Sequence, residues 1–208
     1  LNVESLDPRV SLIRGRGTVY PAGLNEGYDA MAWVGQHAKA GTPYSHLTHT
    51  QTFAVLDVRL NGYSIGEFGQ CCLCGMEMGV RSIFAAGEEA LEAEARDLVP
   101  DIHFAGVKRG LLPDGCDSLT AEEYRRAKAG AIHLSPERSR NLIRERAEAA
   151  ARAFLASPEG FAVNPKFEAP FTMELTRRGP ERGSPPVTRS ATGPTIQDTM
   201  LDLFNIRP

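Results

Sequence analysis

The chain has 208 residues, a hydrophobic fraction of 42%, a charged fraction of 24% and a formal net charge of −3. These values are ordinary for a globular protein, and the length suffices for one domain with a proper core. A slightly acidic chain is a poor match for nucleic acid or an anionic membrane, and no apolar run reaches the roughly 20 residues that span a bilayer. We therefore expect no nucleic acid and no membrane as partners.

Cysteine usage and the first residues indicate the compartment. Three of the four cysteines lie together in Cys-Cys-Leu-Cys, which is unlike the spaced cysteines of a disulfide framework. The first ten residues have no basic start followed by an apolar block, as a signal peptide would. These features predict a reducing, cytoplasmic location.

The first half of the chain alternates strands with helices. Its clearest signal is a β-hairpin over about 52–66, because β-forming residues flank the turn pair Asn61-Gly62. Helical character begins at Glu67. The other predicted elements are a strand over 30–35 that opens into a loop, a strand over 80–87, a helix over 88–98 and a strand over 102–108.

The second half continues the same pattern. Ser135 is a suitable N-cap and Pro136 a suitable first residue for a helix that runs to about Leu155. The other predicted elements are a short surface helix within 110–130, a last strand over 167–176, a Pro/Gly/Arg-rich loop over 177–194 and a closing helix over 195–206. Together these elements predict an α/β fold, a layered mixed β-sheet flanked by helices, as a single domain over 1–208.

Three of the five histidines lie between Val34 and Gln51. His37 directly follows a predicted strand, where α/β proteins tend to place their chemistry, and His49 follows a Gly-Thr-Pro turn. Glu67 comes at the end of the hairpin. Two imidazoles and a carboxylate are suitable ligands and acid/base groups for Zn²⁺, although their spacing matches no compact metal motif. An ordinary histidine bonded to loop backbone remains the alternative for His37, and His46 is expected to be solvated.

The remaining candidate groups favour structural roles. Cys71, Cys72 and Cys74 fall in a predicted helix without a second pair of thiols nearby, so they are expected to be small buried apolar residues. His103 and His133 are flanked by apolar residues and are expected to be structural.

Five segments, taken together, resemble the M55 family of metallopeptidases, the D-aminopeptidases of DppA type. They are GQHAKAGTPYSHLTHT, LNGYSIGEFG, VRSIFAAGEEALEAEARDLVPDI, GVKRGL and HLSPERSRNLI, in this order and at near-family spacing. The resemblance covers most of the chain and is strongest over 28–112 and 133–154.

The resemblance implies a hydrolase with two zinc ions per complete site, with Mn²⁺ or Co²⁺ as alternatives. His37 and Glu67 match ligands of one zinc, and His49 matches the catalytic histidine. A metal-bridged hydroxide would attack the amide of a small peptide substrate, with possible D-residue specificity. The resemblance also implies a ring-shaped homo-oligomer.

The family pattern contains metal-binding residues that have no counterpart in the 208 residues of this sequence. An Asp-x-Glu pair and a further histidine supply the other zinc ligands, and both belong to an N-terminal βαβ unit that precedes Leu1 in the family pattern. We expect a separate N-terminal polypeptide to supply them and to complete the sheet around Ala30–Gly35.

Two other functions remain open at this point. The chain is a non-catalytic subunit or scaffold with the family's fold and ring assembly, or it is a cysteine-based metal or redox module built on Cys71, Cys72 and Cys74. The catalytic hypothesis is favoured because His37, His49 and Glu67 occur together.

Overall fold

A computed structural model describes residues 3–13, 21, 23–24, 27–113, 116–164 and 167–205. Within these ranges the chain forms eight strands, five α-helices and two short 3-10 helices. The strands are β1 Ala30–Gln36, β2 Val55–Leu60, β3 Tyr63–Ser64, β4 Arg81–Glu88, β5 His103–Gly110, β6 Ala131–His133, β7 Phe171–Arg177 and β8 Val187–Gly193. The α-helices are α1 Glu67–Glu77, α2 Leu91–Leu98, α3 Ala121–Ala127, α4 Pro136–Ala156 and α5 Ile196–Phe204.

The predicted mixed α/β fold is confirmed, with two sheets instead of one. The first sheet has the order β1-β4-β5-β6, in which β1, β4 and β5 run parallel and β6 is antiparallel. The second has the order β3-β2-β7-β8 and is antiparallel throughout. The hairpin therefore belongs to a different sheet from the strand that precedes His37.

Alternating side chains of β4 show how the first sheet is covered. Phe84 and Ala86 pack with Ala150 of α4, whereas Ala85 between them belongs to the main core. Successive residues of a strand face opposite sides, so α4 covers one face of the sheet and the main core the other. That core also contains buried residues of β2, β7, α1, α2 and α5.

Local sequence signals set several element boundaries. Ser135 caps α4, since its hydroxyl accepts the N–H of Arg138, and Pro136 is the first helical residue as predicted. Thr120 forms a capping box with Glu123 at the start of α3. Asn61 and Gly62 have φ angles of +47° and +80°, which is the left-handed conformation that a type I′ hairpin turn requires.

The predicted loop over 177–194 is wrong in part, because β8 occupies 187–193. β8 pairs with β7 along its full length, and the hydroxyls of Thr172 and Thr192 lie 3.0 Å apart across the two strands. It is an edge strand with mostly exposed residues, so its sequence has no apolar alternation. The Pro and Gly residues that precede it suggested a loop for the whole segment.

Two further boundaries differ from the prediction. β4 continues through Glu88, which pairs with Lys108 of β5, so α2 begins at Leu91 and not at residue 88. Strand β6 was not predicted, because its three residues are too few for a periodic signal. No helix in the described ranges is both long enough and apolar enough to cross a lipid bilayer.

Phe68→Ala is expected to lower the free energy of unfolding by about 3–5 kcal/mol, the usual cost of removing a buried aromatic ring. Phe68 is fully buried in α1, and its ring lies 4.7 Å from that of Trp33. Urea denaturation measures the change. Leu155→Ala is the control: its side chain is 81% exposed on α4, so a change within about 0.5 kcal/mol is expected. Equal losses in the two variants would contradict this description of the core.

Candidate metal centre

His37 lies immediately beyond β1, at the carboxyl edge of the parallel strands of the first sheet. Its Nδ1 is 3.1 Å from the carbonyl oxygen of Ala38. A carbonyl oxygen only accepts hydrogen bonds, so Nδ1 carries the hydrogen and Nε2 keeps its lone pair. Nε2 is the ring nitrogen that faces Glu67, 3.9 Å from Oε2.

His49 is brought to the same place by a loop that turns back on itself. Its neighbours Thr48 and Thr50 are fully buried. The Thr48 hydroxyl donates to the carbonyl of Lys39 at 2.7 Å, and that of Thr50 accepts the N–H of Ala40 at 3.1 Å. The two threonines therefore tie the segment around His49 to the residues that follow His37.

The ring of His49 is oriented in the same way as that of His37, by a hydrogen bond between Nδ1 and a backbone carbonyl. Its Nδ1 is 2.7 Å from the carbonyl oxygen of Leu47, so Nε2 is again the free nitrogen. Nε2 lies 3.7 Å from Oε1 of Glu67. The two imidazole rings stack with their centroids 4.2 Å apart, and the ring of Phe53 packs on the other side of His49 at 4.6 Å.

Glu67 is the first residue of α1, so its carboxylate lies at the positive end of the helix dipole. One oxygen accepts the N–H of Gln51 at 2.6 Å, and both oxygens face the histidines. Gly66 precedes it in a place with no room for a side chain, because a Cβ there would lie 2.6 Å from an oxygen of Glu94. This close approach sets the direction in which α1 leaves the hairpin.

The structure thus brings together all three residues that the sequence singled out. One donor atom from each of His37, His49 and Glu67 lies within 4.8 Å of the other two, and in the described part of the chain no other group of three His, Cys, Asp or Glu residues meets this condition. The side chains are 17%, 23% and 24% exposed, so a ligand can reach them from solvent.

The electrostatics of the cluster suit a cation. Burial is the main cause that lowers the pKa of His37, and electrostatic interaction with His49 and Lys108 lowers it further. The hydrogen bond to the Ala38 carbonyl and the charge of Glu67 have the opposite effect. A lowered pKa keeps the imidazole neutral at pH 7, which is the form that binds metals. Two imidazole nitrogens and a carboxylate are a donor set that Zn²⁺ uses in proteins.

His46 was expected to be solvated, and this expectation is wrong. Its side chain is half-buried, and its Nδ1 is buried without a hydrogen-bond partner among the described residues. Burial lowers the pKa of His46, and the charges of Lys108 and His133 add to the effect. The ring packs edge-on against that of His133 at 5.4 Å, so the two histidines form a pair beside the centre.

Sequence reasoning missed two buried carboxylates next to the cluster. Glu88 and Glu94 were assigned only to a helix over 88–98, yet Glu88 is fully buried and Glu94 is 9% exposed. Burial raises the pKa of both carboxyl groups, whereas backbone N–H donors and nearby lysines favour the charged forms. The sequence did offer one signal for Glu88, because it directly follows the strand predicted over 80–87. In the structure Gln36 pairs with Gly87, so His37 and Glu88 lie at the same edge of the sheet.

The cysteines lie apart from this centre. Cys72 and Cys74 are fully buried in α1, as predicted, while Cys71 is half-buried. Burial raises the pKa of the Cys72 thiol to about 12, so it is protonated at neutral pH and is not poised to bind a metal.

Helix α3 and its C-cap residue Lys128 hold the histidine loop, the segment over 37–49, by hydrogen bonds. The Tyr124 hydroxyl accepts the N–H of Gly41 at 3.0 Å, and the ammonium group of Lys128 donates to the carbonyl of Thr42 at 3.0 Å. The N–H of Leu47 donates to the carbonyl of Lys128 at 2.8 Å. Tyr124 and Lys128 are both buried, and the guanidinium of Arg178 stacks 4.0 Å above the Tyr124 ring.

Comparison with known proteins shows the family and the fold of the chain. The family model Peptidase_M55, described as D-aminopeptidase, matches residues 1–184. A D-aminopeptidase of Bacillus subtilis (strain 168) is 30% identical over 136 residues, which are 64% of this chain and 47% of that protein. The aligned part therefore spans about half the length of this curated relative.

A solved structure shows the same fold. The Zn-dependent D-aminopeptidase DppA from Bacillus subtilis, a self-compartmentalizing protease, matches with a TM-score of 0.75 at 21% identity. The match covers 99% of this chain and 73% of that one. With the family model matching most of its length, the chain belongs to the Peptidase_M55 family.

Proposed function

We propose that this chain is a zinc-dependent aminopeptidase or a related amide hydrolase, with D-residue specificity as in its relatives. The single observation that carries the proposal is the convergence of His37, His49 and Glu67 within 4.8 Å. Their donor chemistry fits zinc, and the family and the relatives are D-aminopeptidases, one of them described as Zn-dependent.

In the proposed site, His37 and Glu67 hold one zinc ion and His49 acts in catalysis. The two imidazoles lie at similar distances from the Glu67 carboxylate, 3.9 and 3.7 Å, so the separate role of His49 rests on the family resemblance. Bound zinc would polarise the amide carbonyl and lower the pKa of a water molecule toward 7.

The protein's own groups would orient the reaction. The Leu47 carbonyl fixes the His49 ring with Nε2 toward the cluster, where it can take a proton from a nucleophilic water or deliver one to the leaving amine. Phe53 limits the swing of the ring from its other side. Partial burial of all three groups reduces competition from bulk water and strengthens their electrostatic interactions.

Two ligands are too few for a catalytic zinc site, which uses three protein ligands. The proposal therefore includes further ligands of the kinds that the family pattern contains, an Asp-x-Glu pair and a histidine, which complete a site of two zinc ions. Native mass spectrometry with metal analysis of the whole protein tests this: about two zinc ions per complete site are expected.

The function is tested by adding zinc to the metal-free protein and measuring hydrolysis of D-alanine and L-alanine p-nitroanilides. We expect zinc to raise the midpoint of thermal unfolding, because a ligand that binds the folded state stabilises it by about 2.7 kcal/mol at 100 times its Kd. Hydrolysis that depends on zinc and prefers the D-substrate supports the proposal. Zinc binding without hydrolysis, in the presence of every co-purifying chain, favours the scaffold alternative.

A further inference from the structure

Glu88 joins the two ends of the histidine loop. One carboxylate oxygen accepts the N–H of Ala38 at 2.6 Å, directly after His37, and the other accepts the N–H of His46, three residues before His49. Glu88 itself is the last residue of β4 and is held in register by Lys108 of β5. Glu88 thus ties both ends of the loop to the first sheet.

Glu94 makes an equivalent connection on the other side of the cluster. One oxygen accepts the N–H of Gly66 at 2.8 Å, directly before Glu67, and the other accepts the N–H of Lys39 at 3.1 Å. Glu94 belongs to α2, which packs against α1 and β4. It therefore fixes the start of α1 relative to the segment that follows His37.

From these contacts we infer that Glu88 and Glu94 are positioning residues for the metal centre. Neither carboxylate is a member of the ligand cluster, yet together they bind backbone next to His37 and Glu67 and close to His49. Their four hydrogen bonds set the spacing of the three donor atoms. This inference rests on the proposed zinc function and extends it to two further residues.

The chemistry of these bonds requires carboxylates. Each of the four oxygens takes at least one backbone N–H, and Glu94 also bonds the backbone of Gly69, so both oxygens of each side chain act as acceptors. Glutamine has the same shape but offers one acceptor oxygen and an NH₂ donor. In Glu88→Gln or Glu94→Gln, one backbone N–H would therefore face another donor in a buried place, and the loop would move to relieve it.

The experiment measures zinc affinity by competition with a chromophoric chelator. Glu88→Gln and Glu94→Gln are each expected to weaken zinc binding about 10–100-fold, as is usual when groups that orient metal ligands are changed. Glu89→Gln and Glu92→Gln are the matched controls, because both are exposed neighbours, and they should bind zinc like the wild type. Folded Glu88→Gln and Glu94→Gln proteins with wild-type affinity would overturn the inference.

A second readout uses the metal-free protein and does not depend on zinc. The ¹⁵N shifts of the imidazole nitrogens report which ring nitrogen carries the hydrogen. Glu88→Gln is expected to change the shifts of His37 and His49, while His103, which lies outside the cluster, stays unchanged. Unchanged shifts in all three histidines would refute positioning by Glu88.

The two readouts separate failure of the inference from failure of the proposed function. If the wild type does not bind zinc, the proposed function fails, and the imidazole shifts still decide whether Glu88 orients the histidines. If Glu88→Gln does not fold, Glu94→Gln takes its place in both measurements. Its bonds join Lys39 and Gly66, so the shifts of His37 should change more than those of His49.

Discussion

Glu67→Gln is expected to lose the one zinc equivalent that Glu67 holds with His37 and to lower peptide hydrolysis about a thousandfold. A bound metal stabilises the charge of the transition state by several kcal/mol, and this stabilisation would be lost. Each loss of about 1.4 kcal/mol lowers the rate about tenfold. The amide oxygen of glutamine can still accept the N–H of Gln51, so the start of α1 should keep its position. Zinc analysis of the purified variant and a rate with D-alanine p-nitroanilide measure the two effects.

His37→Ala is the companion variant, since His37 is the other proposed ligand of the same ion. It should lose the same single zinc equivalent. Because the ring is 17% exposed and stacks on that of His49, a lower midpoint of thermal unfolding of the metal-free protein is also expected. Glu92→Gln serves as the control for charge, as Glu92 pairs with Arg96 on an exposed part of α2. Normal zinc content in both Glu67→Gln and His37→Ala would refute the ligand assignment.

His49→Ala is expected to keep its zinc and to lower kcat by about 10²–10⁴-fold, the usual contribution of a general acid or base. The threonines on either side, and not the imidazole, hold the loop, so the change should leave the fold intact. Metal analysis and steady-state kinetics on the same preparation distinguish the roles of the residue. His103→Ala is the control, because His103 lies at the start of β5 and outside the cluster.

The zinc content of His49→Ala decides between catalysis and ligation. A variant that retains zinc but not turnover places His49 in the chemistry. A variant that loses zinc as completely as His37→Ala shows that His49 is a third ligand of the ion, which the 3.7 Å distance to Glu67 also allows. In that case the catalytic assignment would be wrong and the metal assignment would extend to all three residues.

Local sequence signals were sufficient for the parts of the site that depend on neighbouring residues. The apolar run before His37 predicts β1, and Asn61-Gly62 predicts the turn that returns the chain to Glu67. Because both residues lie at element ends, their approximate location followed from the order of strands and turns. The family resemblance supplied the division of roles among them.

Long-range contacts explain what the sequence did not reveal. Glu88 and Glu94 read as ordinary acidic residues at the start of a helix, and only the fold shows their carboxylates turned inward against backbone N–H groups. β8 has the same cause, since its polar residues form a strand only where β7 offers a partner. Burial and pairing at such positions are properties of the tertiary structure and have no periodic signal.

The bracing of the histidine loop by α3 has a kinetic consequence. The amides of Gly41 and Leu47 are bonded to groups on this one helix, so neither can exchange with solvent unless the loop separates from it. Loop and helix should therefore open as one cooperative unit, with closely similar exchange rates for these amides. A metal ion bound through His37 and Glu67 would hold the loop in its closed arrangement, so it should slow the exchange of both amides by a similar factor, although α3 provides none of the ligands.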